Sequence, residues 1–172
     1  ASYQDAQRAI AAGGIGRPFL VRSETCDQND PSGFFVRFAP TSGGIFVDMS
    51  VHDIDLARWL LGSPKPLRVF SAGTIAIHEG LAACGDVDNG VAMCEFAGGR
   101  IACFYASRTM AHGHETATEV IGTDGRLVIG RVTLDLLPRG PARFPHAHEG
   151  HVKMMGLVEQ KEVEPSGHIQ LA

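Results

Sequence analysis

The sequence predicts an α+β fold, a mainly antiparallel open sheet with helices packed on one face. Three observations predict it. Residues 91–96 and 100–107 flank Ala97-Gly98-Gly99, and residues 116–121 and 126–129 flank Gly122-Thr123-Asp124-Gly125, so two pairs of strand-type runs are each joined by a hairpin-type turn. Residues 42–62 form an unbroken helix-compatible run, opened by Gly43-Gly44 and closed by Gly62 and Pro64. With 172 residues, 44% of them hydrophobic, the chain can bury one core with at most a small appendage.

In chain order, Ser2-Tyr3-Gln4-Asp5 reads as a helix cap with an acidic first turn, and Ala6, Ala9, Ile10 and Ala11 extend a helix that Gly13-Gly14 ends. Gly14-Ile15-Gly16 is not a dinucleotide loop. That fingerprint follows a strand and opens a helix, whereas this cluster follows a helix and precedes Pro18. Residues 19–26 read as a strand with Arg22 and Glu24 on one face as cross-strand partners. After a polar loop over 27–33, Phe34-Phe35-Val36-Arg37-Phe38 is short and aromatic, and its pattern selects neither helix nor strand. Residues 67–77 read as a strand interrupted at Gly73, and 84–89 as a loop. Beyond Arg131, Pro138, Pro141, Pro145 and Pro165 break the pattern, and His146, His148 and His151 cluster. The division expected is an α+β domain over 1–130 and a divergent Pro/His-rich tail over 131–172 that continues the domain or is partly disordered. The chain opens in mid-helix pattern, so a fragment of something longer is expected.

A net charge of −4 and the absence of any Lys/Arg run argue against nucleic acid and anionic membrane as partners. No apolar run reaches transmembrane length, and the polar start does not read as a signal peptide. Cys26, Cys84, Cys94 and Cys103 show no C-x-x-C spacing, which makes a reducing cytoplasm the default. Cys94 and Cys103 fall on paired strands, where they read as small buried hydrophobes. The histidine cluster of the tail lacks matching carboxylate or cysteine spacing and reads as polar tail, so no metal is expected.

The chemistry concentrates in the 42–62 run. Asp48, His52, Asp55 and Trp59 fall at i, i+4, i+7 and i+11 and share one stripe of a helix. Apolar neighbours from Val47 to Leu61 are numerous enough to bury that helix on most sides. A carboxylate one turn before a histidine in such a setting is an acid–base candidate. The plain alternative is a carboxylate favoured by the helix dipole beside a packed histidine. Trp59 reads as core and Asp53 as a solvated or capping carboxylate.

Gly43-Gly44-Ile45-Phe46-Val47-Asp48-x-x-x-His52-Asp53-x-Asp55-x-x-Arg58-Trp59-Leu60-Leu61-Gly62 resembles a signature of the glucose–fructose oxidoreductase/inositol dehydrogenase/MocA (Gfo/Idh/MocA) family. Ile15-Gly16-Arg17-Pro18, Val87-Asp88-Asn89-Gly90, Ser107-Arg108 and residues 119–125 resemble it in the same order, so the likeness covers about Ser2 to Gly130. The resemblance implies a C-terminal sheet domain that normally follows an NAD(P)-binding Rossmann domain and builds a homo-oligomer through its open sheet face. It implies that Asp48 sits near the substrate and influences a catalytic lysine, that His52 exchanges a proton with a substrate hydroxyl, and that Asp55 holds a sugar or cyclitol hydroxyl. His112 and His114 fall where similar enzymes carry substrate-facing residues. The Rossmann half, with its glycine-rich loop and its lysine, has no counterpart in this sequence, and beyond Gly130 the likeness ends. NAD or NADP therefore belongs to the full-length family context and is not expected to bind this chain alone. Two readings follow: the substrate and oligomerisation domain of a sugar or polyol dehydrogenase, or a non-catalytic self-associating or regulatory module derived by truncation.

Overall fold

The computed structural model describes residues 2–111 and 113–130, and the expectations for the tail lie outside them. Within that span the elements are α1 (Ser2–Ala11), β1 (Pro18–Gln28), α2 (Phe34–Ser42), α3 (Ile45–Asp48), α4 (Val51–Leu60), β2 (Pro66–Thr74), a 3-10 helix (Glu79–Cys84), β3 (Asn89–Phe96), β4 (Arg100–Met110), β5 (Glu115–Gly122) and β6 (Arg126–Ile129). The six strands form one sheet in the order β2-β3-β4-β1-β5-β6. Both expected hairpins, β3–β4 and β5–β6, are present. The sheet is mixed rather than purely antiparallel, because β1 slots between the hairpins and runs parallel to β4 while antiparallel to β5.

Strand alternation sorts the two faces. One register row runs Cys94–Ala102–Val21–Val120–Leu127, and the next runs Ala92–Phe104–Ser23–Thr118–Ile129. Most of these side chains are buried, and Ala57, Leu60 and Leu61 of the α4 end pack against them. Each such leucine contributes about 1.5–3 kcal/mol relative to exposure. A smaller core joins Ile45 and Met49 to Ala106. The other face carries the row Phe70–Met93–Cys103–Arg22–Glu119–Val128 and stays open. Cys94 and Cys103 consequently stand on opposite faces, and Arg22 pairs across to Glu119 at 3.3 Å, not along its own strand to Glu24.

The 42–62 run is two helices, a correction to the single helix expected. The backbone ladder stops at Met49 N–H to Ile45 O, 2.9 Å, and resumes with Ile54 N–H to Ser50 O, 2.8 Å. Gly44 opens α3 with φ 90° and ψ 165°, a conformation essentially confined to glycine. At the far end the N–H groups of Gly62 and Ser63 donate to Trp59 O and Arg58 O, a Schellman closure. The buried stripe is Ile45, Met49, Asp53, Ala57 and Leu60, one position round from the stripe of Asp48, His52, Asp55 and Trp59. Trp59 is 38% exposed, so it is not core, and Val47, Val51 and Ile54 are exposed as well.

Asp53 is the carboxylate that faces inward, and it is neither solvated nor a cap. It is 4% exposed and accepts hydrogen bonds from Ser23 Oγ at 2.6 Å and Thr25 Oγ1 at 2.8 Å. Because a carboxylate offers only acceptors, it sets the direction of a hydroxyl chain in which Tyr3 donates to Thr118 at 3.0 Å and Thr118 to Ser23 at 2.8 Å.

The aromatic segment belongs to α2. Phe34 and Phe38 stack at 5.5 Å on its outer side, while Phe35 and Ala39 are buried. Strand β2 continues through Gly73, which pairs with Gly90, and ends at Thr74. It ends there because the next N–H groups turn to a carboxylate. Asp88, fully buried, accepts from Ala76 N–H at 2.8 Å, Ile77 N–H at 2.8 Å, His78 N–H at 2.9 Å and the Asn89 amide at 3.0 Å. Burial pushes the Asp88 carboxyl up, but the hydrogen bonds from His78, Ala76, Ile77 and Asn89 outweigh it and hold it below its ordinary 3.8.

Asp53→Ala leaves Thr25 without its acceptor and is expected to lower the unfolding free energy by about 2 kcal/mol in a urea titration; a loss under about 0.5 kcal/mol would be that of an ordinary surface site. For Asp88, a depressed carboxyl adds stability above its unfolded-state value and loses it as pH falls through the folded one. The stability difference between the wild type and Asp88→Asn should therefore be flat from about pH 7 to pH 5 and shrink below 3.8. A difference that persists unchanged to about pH 2 would rule out this linkage.

Candidate active site

Parallel pairing brings the C-terminal ends of β1 and β4 to the same end of the sheet, and the Asp53–Thr25 bond brings the start of α4 there too. That end collects most of the residues singled out from the sequence. Asp48 is the last residue of α3, with its side chain 25% exposed. His52 lies in the first turn of α4, exposed, and makes no hydrogen bond or ion pair among the described residues. Asp55 is exposed three residues further on. On an ideal helix in which Asp53 points inward, His52 and Asp55 stand about 100° and 160° round on the same flank. His114, exposed just before β5, places Nδ1 3.0 Å from Asp27 Oδ1. His112 falls outside the described residues.

Asp48 does not bond to His52. Its partner is Arg108, whose Nη2 donates to Asp48 Oδ2 at 3.0 Å. The Arg108 side chain is 0% exposed. Its Nη1 donates to Asp86 Oδ2 at 2.8 Å, and its guanidinium carbon lies 5.6 Å from the centre of the Phe35 ring. A guanidinium this deep requires charged, hydrogen-bonded partners, since an isolated buried charge costs several kcal/mol. Asp86 is nearly as buried and is itself tied down, for its Oδ1 accepts from Ile45 N–H and Val87 N–H, both at 2.9 Å. The cluster carries one cation and two carboxylates, and only Asp48 reaches solvent to any extent.

Sequence reasoning reached Asp48 and His52 but not Asp86. Arg108 figured only as half of the Ser107-Arg108 likeness. The available signal was an arginine following the mostly apolar run 101–106 of one strand, which has to find a counter-charge if buried. Among the described residues no group of three His, Cys, Asp or Glu side chains is placed to hold a metal ion.

The cofactor implied by the resemblance is a nicotinamide dinucleotide, whose pyrophosphate needs free backbone N–H groups at a glycine loop opening a helix. The glycine cluster here does not fit that role. Gly13, Gly14 and Gly16 donate their N–H groups to Ile10 O, Ala9 O and Gly13 O. A Cβ on Gly16 would fall 2.2 Å from Thr123 Oγ1, so this loop is packed against the β5–β6 turn. Among the described residues the candidate site is an arrangement of carboxylates and histidines at one end of the sheet, and the glycine cluster lies packed against the β5–β6 turn.

Comparison with known proteins identifies the family. The family profile described as the GFO/IDH/MocA C-terminal domain matches residues 3–128. A scyllo-inositol 2-dehydrogenase (NAD(+)) of Bacillus subtilis is 37% identical over 160 residues, which is 86% of this chain and 46% of that protein. A myo-inositol 2-dehydrogenase of Thermotoga maritima is 32% identical over 76% of this chain and 38% of its own length. The crystal structure of a scyllo-inositol dehydrogenase from Lactobacillus casei, with bound NAD(H) and scyllo-inositol, superposes with a TM-score of 0.70 at 37% identity, covering 76% of this chain and 39% of that one. The chain thus spans less than half the length of these relatives. From the matched profile over most of the sheet and both site helices, the chain belongs to the Gfo/Idh/MocA family and represents its C-terminal domain.

Proposed function

We propose that this chain is the substrate-binding and oligomerisation part of an NAD(P)-dependent polyol dehydrogenase acting on a cyclitol, with His52 exchanging a proton with the substrate hydroxyl. The observation that carries the reading is an exposed imidazole with no partner among the described residues, four residues from the partly exposed Asp48 carboxylate, in a domain whose relatives bear inositol dehydrogenase names. Histidine is the side chain most often used to move a substrate proton, and at this position it opens to solvent. Asp55 and His114 flank the same end of the sheet and offer an acceptor and a ring nitrogen to neighbouring hydroxyls. The nucleotide is held by a partner half outside the described residues, and the chain turns over substrate only in company with it.

The open face supports the oligomer part of the proposal. Phe70, Met93, Cys103, Tyr105, Val91 and Val128 help to line a depression of about 690 Å³, bordered by the Arg22–Glu119–Arg126 ion pairs. Val91, Met93 and Val128 are exposed there as large apolar side chains, and contiguous apolar surface of this kind favours burial against a second copy of the chain. The same face also favours the second reading, a non-catalytic self-associating module.

The two readings separate in one fusion. Joining the chain behind the nucleotide-binding half of the Bacillus subtilis relative should restore scyllo-inositol-dependent NADH formation, and His52→Ala should lower kcat by about 10²–10⁴-fold. A folded, NAD-binding fusion that forms no NADH would leave the non-catalytic module standing. For the assembly, light scattering on the chain at micromolar concentration should give a dimer or larger species, and a monomer would remove the oligomerisation role.

A further inference from the structure

We propose that Asp86 and Arg108 are positioning residues that hold Asp48 in its working orientation; the inference rests on the function proposed above. The geometry gives Asp86 a hold on both ends of α3. Its Oδ1 accepts the N–H of Ile45, the first residue of that helix, at 2.9 Å, and through Arg108 its Oδ2 reaches the side chain of Asp48, the last. A helix of four residues has no stability of its own, because the cost of nucleation is never recovered by propagation. The break after Met49 also deprives it of support from α4. Ile45 and Met49 fix the apolar side of α3 against Ala106, and the Asp86 anchor fixes its polar side, which carries Asp48.

Arg108 transmits that anchor because its two terminal nitrogens serve different carboxylates, Nη1 for Asp86 and Nη2 for Asp48, while the Phe35 ring packs over the guanidinium. A planar fork fixes distance and direction together, whereas a lysine ammonium is a point charge on a flexible stem and cannot span both partners. The charge count matters as well. Asp86 offsets the cation, so Asp48 is oriented by Arg108 without being left as one half of an otherwise neutral pair. Neither residue reaches solvent enough to touch a substrate, so both act through Asp48.

Removing the guanidinium altogether strands two carboxylates, so the test uses gentler changes: Asp86→Asn, which keeps an acceptor for Ile45 N–H, and Arg108→Lys. In the fusion described above, each should lower kcat for scyllo-inositol by about 10²-fold, the usual cost of a misplaced catalytic group, with KM moving less than about threefold. The decisive comparison is Asp86→Asn in an Asp48→Asn background, where it should cost less than about twofold more. A role confined to folding removes active protein to the same extent in both backgrounds, so an equal loss in each, or no loss in either, would overturn the proposal. Hydrogen exchange on the chain by itself reads the anchor without any activity. Asp86→Ala, which removes the acceptor of Ile45 N–H as well as the partner of Arg108, should speed the amides of Ile45–Asp48 by at least about tenfold while β1 and β4 stay protected, and unchanged exchange there would overturn the anchor. If the wild-type fusion is inactive but the exchange rises as expected, the anchor stands and the catalytic reading fails.

Discussion

The docking of α4 on the central strand depends on one buried carboxylate. Asp53 occupies the stripe that Met49, Ala57 and Leu60 fill with apolar groups, and the sheet beneath it answers with two hydroxyls, Ser23 and Thr25, at adjacent inward positions of β1. An apolar residue at position 53 would permit a range of helix rotations at similar cost, whereas two short hydrogen bonds permit one. Because that rotation is fixed, His52 and Asp55 are turned out to solvent at the end of the sheet, and the flank that carries these candidate residues is set by a residue facing the other way. The hydroxyl chain from Tyr3 through Thr118 to Ser23 ties α1 and β5 to the same point, so the constraint reaches across three elements of the fold.

The short segment between the 3-10 helix and β3 plays a second organising role. Asp86 and Asp88 alternate along it and serve opposite sides. Asp86 gathers Ile45, Val87 and Arg108, while Asp88 gathers the amides of residues 76–78. Both spend their acceptor capacity on groups that would otherwise be buried donors without partners, which is why two acids can lie this deep beside each other. The candidate-site end of the sheet is thus built from irregular backbone held by carboxylates, while Leu60, Leu61 and Phe96 belong to the main apolar cluster.

The two sheet faces divide the labour. The helix-covered face contains the core and encloses the Asp53–Ser23–Thr118 hydrogen bonds. The open face mixes Val91, Met93 and Val128 with Arg22, Glu119, Arg68 and Glu95, whose ion pairs are exposed and worth little to folding. Charges in such a setting select which surface docks against the patch and in which register, a role for which modest energies suffice.

Much of this protein is legible in its sequence. The hairpins at Ala97-Gly98-Gly99 and 122–125, the helix stop at Gly62, the start of β1 after Pro18 and the family are local signals, set by turn chemistry, periodicity and a run of motifs that need no knowledge of distant contacts. The Phe34–Phe38 segment was not legible, because its helical state depends on burying Phe35 and Ala39 against groups far away in the chain. The rotation of α4 was not legible either. Periodicity announces that a stripe of the helix is buried, but Asp48, His52, Asp55 and Trp59 and the neighbouring stripe through Asp53 are equally regular, and only the hydroxyls of β1 choose between them. The Asp86–Arg108–Asp48 cluster joins residues separated by 22 and 60 positions. The sequence by itself determined the hairpins, the first strand, the close of α4 and the residues that carry charge. The tertiary structure decided which charges are buried together, because the cost of an unpaired buried ion is settled only when distant strands bring its partner to it.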